Sequence, residues 1–411
     1  MRIAFIVGGF PKISETFILN QITGLIDLGH EIDIYARRSL TEEAVHAEVI
    51  QYNLLPKTHY FDLPTSRSGR VLRALRTLAI EFPSHPSAMT RCLNLRRYKS
   101  LYSVLNNIMH LPPFLSHRYD GVMCQYETNG VDFIFLKDIF PDLKFVTMFH
   151  KFMLGDEKGS HVYARLREHG DVFLSISDSY NRKKLVEFGF DNRRIVTHRL
   201  GVDVSNIEFK VRQKSPSQLN IVTVARLHPE KGLEYGIRAI RELIARENKV
   251  KIQYGIIGNG EHKAALNDLI VSLGMQSYIQ LLGPLPTAEV IKWMHASHIF
   301  LLPSLAEGTP TVLLEAQASG MPVIATAVGG VGDIVSDGKS GFIVPPADVP
   351  ALFSKLKYLL DHQEDWEKMG AYGRQFVEQY HDIKKLDRRL AAIFDGLVNG
   401  GIVESGVYAS V

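Results

Sequence analysis

Apolar residues in this chain fall into short continuous runs separated by stretches of helical period. Arg2 to Val7 is one such run, as expected of a strand buried on both faces. It reaches Gly8-Gly9-Phe10-Pro11, which reads as a flexible turn. Ser14 is placed to cap a helix whose stripe is Phe17, Ile18, Ile22, Leu25 and Ile26, and Gly29 is placed to stop it. Glu31 to Ala36 then reads as a second strand, so the chain opens with a βαβ unit, a parallel pairing and a right-handed crossover. More strands are expected at Gly121–Cys124, Lys144–Met148, Val172–Ile176 and Ile195–Thr197.

The segment 210–217 is polar and contains a proline, as a linker does. A second series follows it, with strands at Leu219–Val224, Lys251–Ile257, Ile279–Leu282, Ile299–Leu302, Pro322–Ala325 and Gly341–Val344 and helical segments between most of them. The stretch from Trp366 to Leu397 is helical and amphipathic, with Leu386, Leu390, Ile393 and Phe394 as its stripe. The expected fold class is therefore α/β, with two Rossmann-like doubly wound domains facing across a cleft. Residues 1–209 form the first domain, with a basic helical insertion at 66–100. Residues 218–375 form the second, and 376–411 a terminal helix returning to the first. A length of 411 residues suits two cores better than one.

Composition narrows the class. Forty-five per cent hydrophobic residues, 22% charged and a net charge of +3 describe an ordinary globular protein without the basic excess of a nucleic-acid binder. Two cysteines, Cys92 and Cys124, make neither a disulfide framework nor a metal site, which points to a reducing cytoplasm. The first apolar run is too short for a signal peptide, and no window approaches the roughly 20 apolar residues that span a bilayer. Any membrane contact is expected to be peripheral, at the inner face.

Chemistry is expected on strand-to-helix loops, at the carboxyl ends of both sheets. After Ile299–Leu302 the chain runs Pro303-Ser-Leu-Ala-Glu307-Gly308, with Thr309 as the expected cap and Pro310 as the first helical residue. The free amides near Thr311 and Val312 form an anion site. Glu307 before it and Glu315 along it are acceptors for hydroxyls, a spacing that fits a diphosphate between two polyols. An ordinary capped helix would carry the same residues. Arg226 and Lys231 share one loop and could clamp a diphosphate or merely form a solvated face. Gly258-Asn-Gly260 and Gly283 could admit a nucleobase to the backbone. Gly9 could cover a pyrophosphate, and His150 closes a strand at its carboxyl end. No Asp-x-Asp pair occurs, so no metal site is expected.

Val224-Ala-Arg226-Leu, Lys231-Gly232, Gly258-Asn-Gly260, Glu307-Gly-Thr-Pro, Glu315-Ala and Gly320-Met-Pro-Val-Ile-Ala-Thr together resemble glycosyltransferase family 4 over residues 221–346. Phe10-Pro-Lys-Ile-Ser-Glu-Thr-Phe-Ile18 resembles the branch that builds bacterial exopolysaccharides of the colanic-acid type. The resemblance implies a GT-B fold and metal-independent transfer of a hexose, with retention, from a nucleotide sugar. Uridine diphosphate is expected ahead of guanosine diphosphate as its carrier. The implied acceptor is a saccharide or a polyprenyl-diphosphate-linked saccharide. Arg226 and Lys231 would then neutralise the diphosphate, Glu307 hold donor-sugar hydroxyls and Glu315 the ribose. Gly308 to Val312 would supply backbone donors, Gly9 approach the pyrophosphate, and His150 contact the sugar near the reacting carbon. A nucleotide-sugar epimerase of the same fold and a non-catalytic nucleotide-sugar binding module are the competing readings.

Residues 67–99 carry eight Arg or Lys against one acid, Glu81. Arg67, Arg70, Arg73 and Arg76 recur beside Val71, Leu72, Leu75 and Leu78. Such a helix could lie on an anionic membrane or be a solvated face over an ordinary core stripe.

Overall fold

A computed structural model describes residues 1–12, 15–40, 46–150, 152, 160–215, 217–247 and 249–400. Ser14, read as a helix cap, and Pro216 of the linker lie outside these residues. The chain divides into two compact units, Met1–His198 with the helix from Lys384 onward, and Arg199–Ile383.

The first unit runs β1 (Arg2–Phe10), α1 (Thr16–Asp27), β2 (Glu31–Ser39), β3 (Thr58–Tyr60), α2 (Arg67–Glu81), α3 (Leu101–His110), β4 (Gly121–Gln125), β5 (Lys144–Phe149), β6 (Val172–Ser175) and β7 (Ile195–Thr197). All its strands are parallel, in the order β3-β2-β1-β4-β5-β6-β7. Strand β1 continues through both glycines, pairing Gly9 with Arg38 and Phe10 with Ser39, so Gly8-Gly9 is extended sheet and no turn. A Cβ on Gly9 would fall 2.7 Å from the Leu40 side chain, and this close packing is what glycine permits there. Strand β3, partly buried along its length at the sheet edge, lacks the apolar run that marks the others.

The second unit runs β8 (Gln218–Val224), α4 (Leu233–Arg246), β9 (Lys251–Ile257), β10 (Ile279–Gly283), β11 (Ile299–Leu302), α5 (Thr311–Ala318), β12 (Val323–Thr326), β13 (Gly341–Val344) and α6 (Asp365–Tyr380). Its parallel sheet has the order β10-β9-β8-β11-β12-β13. The boundary falls before 199 and not at 210–217, because this stretch is tied to the second unit. Arg374 donates to the carbonyls of Val204, Ile207 and Ala318, and Arg212 to those of Lys210 and Met294.

The terminal helical stretch is two helices. Helix α6 ends at Tyr380, and α7 (Ile383–Asn399) belongs almost wholly to the first unit. There Leu386, Leu390, Ile393 and Phe394 are buried. Phe394 lies so close over Gly121 that a Cβ would sit 2.7 Å from its ring.

In the insertion, Ser66 caps α2 through the Gly69 amide. Only Ala74 of this helix is buried. Arg70 donates to the Pro64 carbonyl and to Asn106, and Arg73 to the Asp62 carbonyl. These two arginines face the protein. Leu72 (70% exposed), Leu75 (58%) and Val71 (42%) face outward beside exposed Arg67 and Arg76. Of Val71, Leu72, Leu75 and Leu78, the first three are therefore on the surface, and Leu78 packs against the core of the first unit.

Candidate functional site

Each sheet reverses its strand order once, between β1 and β4 and between β8 and β11. Loops at the carboxyl ends of such neighbouring strands diverge and leave a crevice. In the second unit that position is occupied by the residues singled out from sequence.

The loop after β8 ends in a short 3₁₀ turn, Pro229–Lys231, closed by Gly232 at φ +53°. A Cβ at Gly232 would lie 2.3 Å from the Pro303 carbonyl oxygen, so only glycine lets this loop meet the one after β11. The contact is reinforced where Leu305 N–H donates to the Glu230 carbonyl at 2.7 Å. It brings Lys231 Nζ to 2.7 Å from Glu307 Oε1, with both side chains largely buried, and Ser304 Oγ donates to the same oxygen at 2.6 Å. Lys231 and Glu307, assigned from sequence to separate tasks, are thus paired. Arg226 is exposed at the mouth of the same loop and has no ion-pair partner among the described residues.

Helix α5 begins at Thr311, with Pro310 in extended backbone at its N-cap and no side-chain cap. Thr309 is therefore not the cap and Pro310 not the first helical residue. A residue before proline is pushed out of helical conformation, and Pro310 itself keeps ψ at 100°. The Thr309 hydroxyl is buried without a partner among the described residues. The Thr311 and Val312 amides belong to a first helical turn and lack intrahelical acceptors. Glu315 lies on the same helix, partly exposed, and burial raises its carboxyl to about 7.

Behind Glu307 stands a loop that sequence reading missed. Gly329, at φ +53°, would place a Cβ 1.9 Å from the Glu307 carbonyl oxygen, and Gly330 N–H donates to the Gly308 carbonyl at 2.7 Å. The glycine pair after β12 was the available signal. Ser304, which orients Glu307, had none.

The other glycines divide by what fills the space. A Cβ at Gly258 would lie 1.8 Å from the Ala225 oxygen, and one at Gly260 2.2 Å from that of Leu227. Backbone of the loop after β8 fills the space beside both. Gly283, at φ +75°, has nothing within 4 Å of a Cβ.

In the first unit His150 follows β5 and is buried between the rings of Phe17 and Tyr126, each centred 4.7 Å away. Its Nε2 lies 2.7 Å from Gln125 Oε1. Burial, then the neighbouring His198, lowers its pKa to about 3, so the ring is neutral. Among the described residues no three His, Cys, Asp or Glu side chains converge as a metal set.

The family model described as glycosyl transferases group 1 matches residues 204–376. The chain is 32% identical to the colanic acid biosynthesis glycosyltransferase WcaL of Salmonella typhimurium, over 96% of this chain and 99% of that one. It is 30% identical to the amylovoran biosynthesis glycosyltransferase AmsK of Erwinia amylovora, over 97% and 100%. Among solved structures, Anabaena HepE in complex with UDP and glucose superposes with a TM-score of 0.70 at 16% identity, over 96% of this chain and all of that one. Two Rossmann-like units of this kind constitute the GT-B fold, and the chain belongs to the group 1 glycosyltransferases.

Proposed function

We propose that this protein is a retaining hexosyltransferase of bacterial exopolysaccharide synthesis. It moves a hexose from a nucleoside diphosphate sugar, UDP-linked, to a saccharide or polyprenyl-diphosphate-linked saccharide. The observation that carries the reading is the Lys231–Glu307 pair at the β8/β11 switch, beside the open N-terminus of α5. Lys231 and Arg226 supply positive charge for a diphosphate, and the α5 amides supply donors. Glu307, held by Ser304, accepts from sugar hydroxyls, and Glu315 from the ribose. His150, neutral, offers a nitrogen lone pair to a sugar hydroxyl. In the transfer the bond from C1 to the diphosphate oxygen breaks and a bond to the acceptor oxygen forms on the same face. The acceptor's proton passes to the departing phosphate. Positioning and charge stabilisation then carry catalysis, with no metal needed. The names of the colanic acid and amylovoran relatives support the pathway class, and the UDP complex of HepE supports the carrier.

The insertion suits a lipid-linked acceptor. Exposed Leu72 and Leu75 stand between Arg67 and Arg76, a pattern that fits an anionic bilayer at the inner face of the cell membrane. No helix among the described residues is long and apolar enough to cross a membrane.

The test is a donor panel in EDTA. UDP-hexoses should raise Tm and release UDP slowly without acceptor, and one of them should glycosylate a lipid-linked saccharide with retained anomeric configuration. GDP-sugars alone raising Tm would overturn the carrier. Interconversion of free nucleotide sugars without transfer would indicate an epimerase, and binding with neither reaction a binding module.

A further inference from the structure

The carboxyl end of β4 carries two residues that sequence patterning passed over. Gln125 is fully buried, and its side-chain oxygen accepts from His150 Nε2–H at 2.7 Å. Its own amide nitrogen donates to Gln21 Oε1 at 2.7 Å, and Gln21 Nε2 in turn contacts Met148 Sδ at 3.4 Å. With its nitrogen committed to Gln21, the Gln125 amide can present only oxygen to the imidazole. The chain of neutral groups ends on a thioether, so no ion draws a proton along it. His150 is thereby held as the Nε2–H tautomer, which leaves Nδ1 as a bare lone pair. That atom is buried and has no partner among the described residues. A buried acceptor left unsatisfied in this way is unfavourable and needs an explanation.

Tyr126, next to Gln125, holds the ring from the side. It has φ +69°, a region that non-glycine residues rarely occupy. Its ring lies 4.7 Å from the imidazole, tilted by 48°, and its hydroxyl donates to Glu15 Oε1 at 3.0 Å, where Lys12 Nζ also binds at 2.6 Å. Backbone strain of this kind is found where a site is pre-organised.

We propose that Gln125 is a positioning residue for His150: with Gln21 behind it and strained Tyr126 beside it, it fixes the imidazole tautomer so that Nδ1 accepts a hydrogen bond from a hydroxyl of the bound sugar. The kinetic side of this rests on the glycosyl-transfer reading above; the tautomer does not. Replacing Gln125 by an apolar residue frees the ring to place its proton on either nitrogen, and an Nδ1–H meets the hydroxyl as a second donor.

The experiment labels the protein with ¹⁵N-histidine and records long-range ¹H–¹⁵N correlations, assigning His150 by its disappearance in His150→Gln. The parent should show the Nε2–H pattern, unchanged from pH 8 to pH 5.5. Gln125→Leu should mix the tautomers and lower kcat about 100-fold, the loss that follows small misplacements in a site, with the donor KM changed much less. Gln125→Glu keeps an acceptor at Nε2, so it should retain the tautomer and recover most of kcat at pH 8. Its activity should fall at acid pH, because the new carboxylate favours imidazolium. An Nδ1–H pattern in the parent, or Gln125→Leu with the parental tautomer and kcat within twofold, overturns the proposal. If Gln125→Leu fails to fold, the parent and Gln125→Glu spectra decide. The spectra need no donor, so absence of transfer by the parent counts against the proposed function and a wrong tautomer against Gln125.

Discussion

Lys231 Nζ sits 2.7 Å from Glu307 Oε1, although 76 residues separate them in sequence. The pair keeps a cation and an acceptor ready at one sheet switch before any ligand arrives. It also means that the lysine charge is already half-committed. A diphosphate must compete for it, and Glu307 is steadied by Ser304 while it does. Lys231→Ala should lower turnover at least about 100-fold, the scale of losing one electrostatic donor in a site. Because the pair is largely buried, this variant should also lose stability, whereas Lys231→Met with Glu307→Gln should recover part of it. Steady-state kinetics and urea unfolding of the two variants check both statements. Turnover within a few-fold of the parent would remove Lys231 from the chemistry.

Gly329→Ala should damage the same site from behind. The methyl group would arrive 1.9 Å from the Glu307 carbonyl oxygen, and Glu307-Gly308 must shift to admit it. Gly338→Ala is the control, with a similar φ of +73° but open space around the Cβ. Both variants carry the left-handed penalty of about 1–2 kcal/mol. Only Gly329→Ala should add a loss of donor binding, read by calorimetric titration with UDP-sugar. Equal binding by both would mean that this loop does not support Glu307.

What the sequence made legible follows from which signals are local. Uninterrupted apolar runs such as Ile3–Val7 and Ile299–Leu302 identify buried parallel strands, because two-sided burial removes polar residues from them. Strand β3 has no such run, being an edge, and was invisible. Glu307, Lys231 and Arg226 could be singled out because glycines and prolines mark the loops that bear them. That Lys231 and Glu307 touch could not be read, since the Gly232–Pro303 contact that brings them together is tertiary. Gly258 and Gly260 answer to a contact of the same kind. Glycine reports that something comes close, and here it is neighbouring backbone. In α2 the period was legible and the direction open, because nothing local says which face of a short insertion helix meets the domain.

For the insertion, the proposed membrane contact falls on the exposed Leu72 and Leu75. Leu72→Ser with Leu75→Ser, and separately Arg67→Glu with Arg76→Glu, should each abolish sedimentation with vesicles rich in anionic lipid. Each exposed cation contributes roughly 1 kcal/mol near such a surface, so the arginine effect should fade at high salt while the leucine effect persists. Hydrolysis of UDP-sugar without acceptor should be unchanged in both. Arg70 and Arg73 bond to the protein itself, and their replacement should lower Tm. Unaltered sedimentation of both double variants would make this face a solvated one.

The last prediction concerns acid. His110, His150, His198 and His381 are all buried, and burial lowers each to about 3, against about 6.5 in an unfolded chain. Between these values the unfolded chain binds protons that the folded one refuses. Stability rises with pH wherever the unfolded state holds more protons. The contribution of the four imidazoles is therefore complete above 6.5 and is lost as pH falls toward 3. Glu315 works in the opposite sense: with its folded carboxyl at about 7 and its unfolded value near 4.5, its contribution is complete below 4.5 and lost as pH rises through 7. Four groups outweigh one, so Tm should drop on going from pH 7 to pH 5. At pH 6 these five groups give a net uptake of about two protons on unfolding, measurable by calorimetry in buffers of different ionisation enthalpy. Glu315→Gln removes the opposing group and should raise the uptake to about three and steepen the acid decline. A Tm that rose on acidification would contradict neutral burial of these histidines, including the His150 on which the proposed site depends.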